Sequence, residues 1–133
     1  PIASAKASTV VVTYTADDVR NACGGVDRPT TVYTQVYDEG TREIAANYTG
    51  TLKNLGLRAP GIENVTAAAV RRGTRVPFKW NQPTLLYTAS DGARCATVLA
   101  GWAKGTWGIT VQVTPLPQGQ GRPGVLELWL PQR

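Results

Sequence analysis

Histidine and methionine are absent from this chain of 133 residues, phenylalanine occurs once and cysteine twice. Without histidine, Ser-His and Cys-His catalytic pairs are excluded, as are histidine-based metal sites. Cys23 and Cys95 lie far apart and fit neither a CxxC motif nor metal-ligand spacing. No SxxK spacing and no GxxxxGK[ST] loop occurs, so Ser-Lys catalysis and phosphate-loop hydrolysis lose their sequence basis. No apolar run approaches the ~18 residues of a membrane span. Charged residues make up only 17% of the chain. The one enzymatic route left is a pair of carboxylates flanking a cleft. Asp38 and Glu39 are adjacent, and they read better as a helix cap and a partner of the helix dipole. We therefore expect no catalytic residue, no cofactor and no metal.

What is present suits one folded domain. Hydrophobic residues reach 42%, enough for a core without a dense disulfide framework. Lysine and arginine total 14 against 9 acids, a formal charge of +5. Such a balance suits an anionic polymer or surface. The tight cationic cluster is Arg71, Arg72 and Arg75, with Lys79 beyond. It reads as a solvated loop and strand edge or as an anion patch; nucleic acid, which would show a steep salt dependence, is not expected. Cys23 and Cys95 are either one disulfide of an exported protein or two buried thiols, and the disulfide is the preferred reading. It would tie an N-terminal arm to the body. The chain starts at Pro1 in a small-residue segment and contains no methionine, so a removed leader and a periplasmic or extracellular location are expected. Asn47-Tyr48-Thr49 and Asn64-Val65-Thr66 match the glycosylation triplet, a pattern common by chance.

Hydrophobic spacing supplies the elements. Val10–Thr15 is β-branched and predicts a strand, followed by a turn-rich stretch to Thr30. Thr31–Tyr37 alternates, with Val32 and Val36 on one face and Tyr33, Gln35 and Tyr37 on the other. Ile44, Tyr48, Leu52 and Leu55 form a helical stripe that Asp38 or Thr41 caps and Gly56 ends. A short strand is expected near Ile62–Val65, and another over Arg75–Trp80 with Val76, Phe78 and Trp80 on one face. Pro77 weakens the latter towards an edge or bulge. Ser90 or Asp91 caps a second helix to about Lys104, with Cys95, Leu99 and Trp102 on one face. Ile109–Val113 and Val125–Leu130 close the series as strands, the second with Leu126, Leu128 and Leu130 inward.

The order strand, helix, strand, strand, helix, strand predicts an α+β fold: an antiparallel sheet with two helices on one face, the split βαβ or ferredoxin-like arrangement. One extra strand is added at each end. Residues 1–30 form an arm with a strand and a turn-rich loop, and residues 31–133 form the βαββαβ-like domain. The opposite sheet face then carries Tyr33, Gln35, Tyr37, Lys79, Thr110, Gln112 and, by strand parity, Glu127 and Trp129. Flat rings among amides and hydroxyls can stack sugar rings and bond their hydroxyls; the alternative is ordinary cross-strand packing under another element.

The segments Val32–Val36, Gly56 and Val111–Val113, with alanine-bearing helices between them, resemble a SPOR domain. That family is a small envelope module of βαββαβ fold, and the resemblance implies binding to peptidoglycan glycan strands. Ala59–Val65 and Leu126–Leu130 are also similar to a poorly characterised bacterial domain often found at the C-terminal end of larger proteins. Two functions from different classes follow. One is a non-catalytic, exported binding module for a glycan or cell-wall polymer, using Tyr33, Gln35, Tyr37, Lys79, Gln112 and Trp129. The other is a structural subunit that assembles into a homo-oligomer or filament through residues 1–15 and its sheet edges.

Overall fold

A computed structural model describes residues 13–25, 27–88, 92–117 and 120–131. Helix α1, Ala16–Ala22, opens on a capping box. The Thr15 hydroxyl accepts from the Asp18 backbone N–H at 3.1 Å, and the Asp18 carboxylate accepts from the Thr15 N–H at 2.8 Å. Strand β1, Thr31–Val36, alternates half-buried and buried residues along its length. A single 3-10 turn at Glu39–Thr41 leads into helix α2, Arg42–Asn54. Asp38 starts it by accepting from the Thr41 N–H, and Gly56 exits it at φ +90°, a conformation glycine adopts without steric cost. Strand β2 is Ile62–Asn64, and helix α3, Val65–Arg72, follows without a loop. The Asn64 side chain caps α3 through the Ala67 N–H at 3.0 Å. Strand β3 is Thr84–Tyr87, helix α4 is Ala93–Trp107, strand β4 is Gln112–Pro115 and strand β5 is Val125–Leu130.

The sheet runs in the order β2-β1-β5-β3-β4. β1 pairs in parallel with β2 and with β5, β3 pairs in parallel with β4, and only β3 and β5 are antiparallel. The fold is α+β as expected, but the sheet is mostly parallel, and the ferredoxin-like order is not what the strands adopt. The reason lies in the connections. A helix between two strands returns the chain to the end where it started, so a following strand that lies beside the first runs parallel to it. Here α2 links adjacent strands β1 and β2, and α4 links adjacent strands β3 and β4. Both βαβ units are unsplit, where the expected arrangement interleaves them.

Registers place Val32, Thr34 and Val36 opposite Leu126, Leu128 and Leu130, and Leu85 beside Leu128. This face packs on Val19 of α1, on Tyr48 and Leu52 of α2, and on Ala96, Leu99 and Trp102 of α4. The leucine parity of β5 and the stripes Tyr48–Leu52 and Cys95–Leu99–Trp102 match the sequence reading. Tyr14 lays its ring over Gly101 of α4, where a Cβ would collide with it. α3 is different. Its buried Val65, Ala68 and Ala69 stand outside that core cluster. Arg72 at its last turn reaches back to Glu63 of β2 at 3.4 Å. Glu63 is paired with Gln35 on the opposite sheet face. α3 therefore doubles back over that outer face at the β1–β2 edge, so helices do not lie on one side alone.

Other expectations change as well. The predicted strand Val10–Thr15 falls largely outside the described residues, and its described end, 13–15, is not strand. Within the stretch expected as an arm, residues 16–22 form α1, and Val19 and Cys23 are buried in the core. Arg75–Trp80 forms no strand, and Val76 and Phe78 face solvent instead of the helices. The sheet position is filled by Thr84–Tyr87, whose backbone can donate along its length where Pro77 cannot. The strand expected at Ile109–Val113 lies three residues later, so Ile109 and Val111 lead into it. Val125–Leu130 does not extend an edge; it is central. The caps proposed at Ser90 and Asp91 lie outside the described residues.

Cys23 at the end of α1 and Cys95 in the first turn of α4 are joined as a disulfide, with Cα atoms 4.8 Å apart. Closing a loop with a separation of 72 residues restricts the unfolded chain, a stabilisation of about 4 kcal/mol on the chain-entropy account. The double variant Cys23→Ala/Cys95→Ala is expected to lose about that much in urea unfolding. A loss below about 1 kcal/mol would show that core contacts alone hold α1 in place.

Candidate functional site

Strand register assembles the outer face row by row. One row crosses all five strands: Glu63, Gln35, Trp129, Thr84 and Gln112. The next holds Tyr33, Glu127, Leu86 and Thr114. Thr84 and Leu86 are buried, whereas Tyr33, Gln35, Glu127, Trp129, Gln112 and Thr114 are half-buried. The Trp129 indole N–H donates to the Glu127 carboxylate at 3.0 Å, which orients the ring along the strand. The Gln112 amide donates to the Thr114 hydroxyl at 3.1 Å and accepts from the Gln82 amide. The Gln35 side-chain oxygen is buried without a hydrogen-bond partner. Tyr33, Gln35 and the edge of β2 border a hollow of about 320 Å3. Of the residues predicted to share this face, Gln35, Trp129 and Gln112 are thus brought into one line, with Tyr33 one row away. Thr110 lies before β4, at the end of the sheet.

Tyr37 does not join the accessible set. It is 5% exposed, with its ring 5.9 Å from that of Trp129. Its hydroxyl donates to the Phe78 carbonyl at 2.7 Å and accepts from the Trp80 N–H at 3.1 Å. The phenol is a latch that pins residues 78–80 over the end of the sheet. Burial raises its pKa above the ordinary value, partly offset by the bond from the Trp80 N–H. Lys79, which is exposed, places its ammonium 5.8 Å above the same ring, in reach of a cation–π contact. Arg71, Arg72 and Arg75 are exposed, and Arg72 pairs with Glu63.

A larger cleft, about 600 Å3, opens where β1 and β5 end and where β3 and β4 begin. Asp38, Thr41, Tyr48, Gln82, Thr110 and Leu130 are among its walls. One Asp38 oxygen accepts from the Thr41 N–H at 2.8 Å and from its hydroxyl at 3.0 Å; the other has no partner. Tyr48 stacks on Trp107 at 4.1 Å, and Trp107 meets Trp102 edge-on at 5.1 Å. Of the three rings, Tyr48 lines the cleft and the two tryptophans stand behind it. Thr110 accepts from the Lys104 ammonium at 2.9 Å. Glu39 is committed to Arg42 at 2.8 Å and to the Asn64 amide at 2.7 Å, and these bonds hold its carboxyl below the usual range. Gln82 belongs both to the cleft and to the outer row through Gln112, so the two surfaces are continuous. Sequence reading passes over Gln82 because the Asn81-Gln82-Pro83 break marks only a chain reversal. Among the described residues no three metal-ligating side chains converge, and no helix is long and apolar enough to cross a membrane.

Tyr37→Phe keeps the ring but strips the Phe78 carbonyl and the Trp80 N–H of their partner, an expected cost of about 1–2 kcal/mol. The unfolded chain releases the phenol proton first, so the hydroxyl's contribution is complete below the ordinary value of 10.0 and declines as pH climbs beyond it. Chemical unfolding at pH 8 and pH 11 should show the wild-type advantage over Tyr37→Phe shrinking at the higher pH. An unchanged gap would mean that burial does not hold the phenol neutral.

No family model matches the chain, and neither a curated protein nor a solved structure matches it.

Proposed function

We propose that the protein is a non-catalytic, exported binding module whose ligand is a glycan or other cell-wall polymer, carried on the outer sheet face and in the adjoining cleft. The observation that carries this reading is the register row Gln35–Trp129–Thr84–Gln112, half-buried except at the covered Thr84 and continued by Gln82 into the cleft. Sugars need two things from a protein: a flat apolar plate for their C–H faces and planar amides that bond hydroxyls in both directions. Trp129 supplies the first, and Gln35, Gln82 and Gln112 supply the second. Asp38 is the one acid among the described residues of the cleft wall, and Glu39 is held by Arg42. A two-carboxylate hydrolysis therefore finds no second group there. The disulfide supports an oxidising compartment. The SPOR resemblance adds the glycan class and nothing about which residues engage it.

The assembly reading draws less from the geometry. The edge strands β2 and β4 are short, and β4 ends at Pro115, which cannot donate to a neighbouring strand.

Purified glycan strands, presented to the wild type and to Tyr33→Ala/Gln112→Ala in a sedimentation assay, test the proposal. Each lost contact of about 1 kcal/mol weakens binding roughly fivefold, so the double variant is expected to bind about 25-fold more weakly. Equal retention of both proteins would remove the outer face from consideration.

A further inference from the structure

All the large hydrophobic side chains that the described residues leave exposed lie between positions 70 and 78. Val70 is 74% exposed, Val76 43% and Phe78 72%. The same stretch holds an unbalanced charge. From Asn64 to Ser90 the sequence contains Arg71, Arg72, Arg75 and Lys79 and no acid. Glu63 offsets Arg72; Arg71, Arg75 and Lys79 form no ion pair among the described residues.

The backbone keeps this composition on show. Gly73, at φ +67°, turns the chain out of α3, and the Thr74 N–H closes that turn on the Ala69 carbonyl at 2.9 Å. Pro77 bars the segment from donating to the sheet at that position. The Tyr37 hydroxyl then holds the Phe78 carbonyl and the Trp80 N–H. The Phe78 ring stands edge-on to Trp80 at 4.9 Å, and most of it stays in water. A free loop could fold its phenylalanine away; this one is anchored by its backbone with the ring outside.

We infer that residues 70–80 form a peripheral docking surface for an anionic lipid bilayer, with Phe78, Val76 and Val70 entering the headgroup boundary and Arg71, Arg75 and Lys79 meeting the negative headgroups. Charge complementarity selects an anionic partner. The apolar side chains select a lipid surface over a soluble polyanion. A nucleic acid or acidic wall polymer uses the cations and leaves two valines and a phenylalanine in water, whereas a bilayer boundary takes up both groups together. None of its residues belongs to the Gln35–Trp129–Gln112 line, so it stands whether or not that line binds glycan.

The test is co-sedimentation of the whole chain with vesicles of equal phosphatidylglycerol and phosphatidylcholine, with phosphatidylcholine vesicles, and with polyphosphate as a soluble polyanion. The wild type is expected to bind the anionic vesicles and to release as salt rises. Phe78→Ser, at a largely exposed position, should fold normally and bind about tenfold more weakly, as loss of a buried phenyl ring implies. Arg71→Gln/Arg75→Gln should weaken binding by a further factor of the same order. No binding to anionic vesicles overturns the inference. So does binding that Phe78→Ser leaves unchanged, or equal capture of wild type and Phe78→Ser by polyphosphate in preference to vesicles.

Discussion

Strand β5 joins what would otherwise be two separate pieces. It pairs in parallel with β1 on one side and antiparallel with β3 on the other, and no other strand pair among the described residues links the two βαβ units. Its inward leucines, 126, 128 and 130, meet Val32, Thr34 and Val36 across one boundary and Leu85 across the other. Its outward residues, Glu127 and Trp129, place the indole at the middle of the outer row. One strand thus completes the core and carries the plate of the candidate site, with opposite faces serving the two tasks.

The two ends of the sheet differ in chemistry because the connections differ. At the end where β1 and β5 finish, Asp38, Gln82 and Thr110 meet around a cleft backed by the Tyr48–Trp107–Trp102 stack. The Tyr37 latch lies at this same end and draws residues 78–80 across it. Cations and exposed apolar groups follow along the segment from α3. The amide-rich row and the exposed cationic and apolar segment thus belong to one scaffold, tied together by the Tyr37 phenol and by the Arg72–Glu63 pair.

Much of this was legible in the chain. The alternation of Thr31–Val36 and Val125–Leu130 sets which residues face the core, and both parities hold. The stripes of α2 and α4 hold for the same reason: each element buries one side. Thr84–Tyr87 is harder, because three of its four residues are buried and both faces are covered, so no polar–apolar period marks it. Arg75–Trp80 shows a period without a strand: Val76 and Phe78 alternate but point to water. α3 carries its own signs in Asn64, the run Ala67–Ala69 and Gly73, a cap, a helix-favouring body and a left-handed exit. Which strands become neighbours depends on pairings between distant segments, and a pattern of period two is silent on them. That is why the row Gln35–Trp129–Gln112 emerges only in three dimensions, while its members are readable one strand at a time.

The Cys23–Cys95 bridge encloses β1, α2, β2, α3 and β3 in one covalent ring and leaves β4 and β5 beyond it. The two flanks of β5 are therefore both ring members, and the strand between them is not. Oxidation ahead of completion would hold those flanks at short range, so that the arriving strand docks into a waiting slot and spares part of the long-loop entropy. Oxidation afterwards would instead lock a sheet already zipped. The same bond can thus act as a template or as a clasp, depending only on which event comes first.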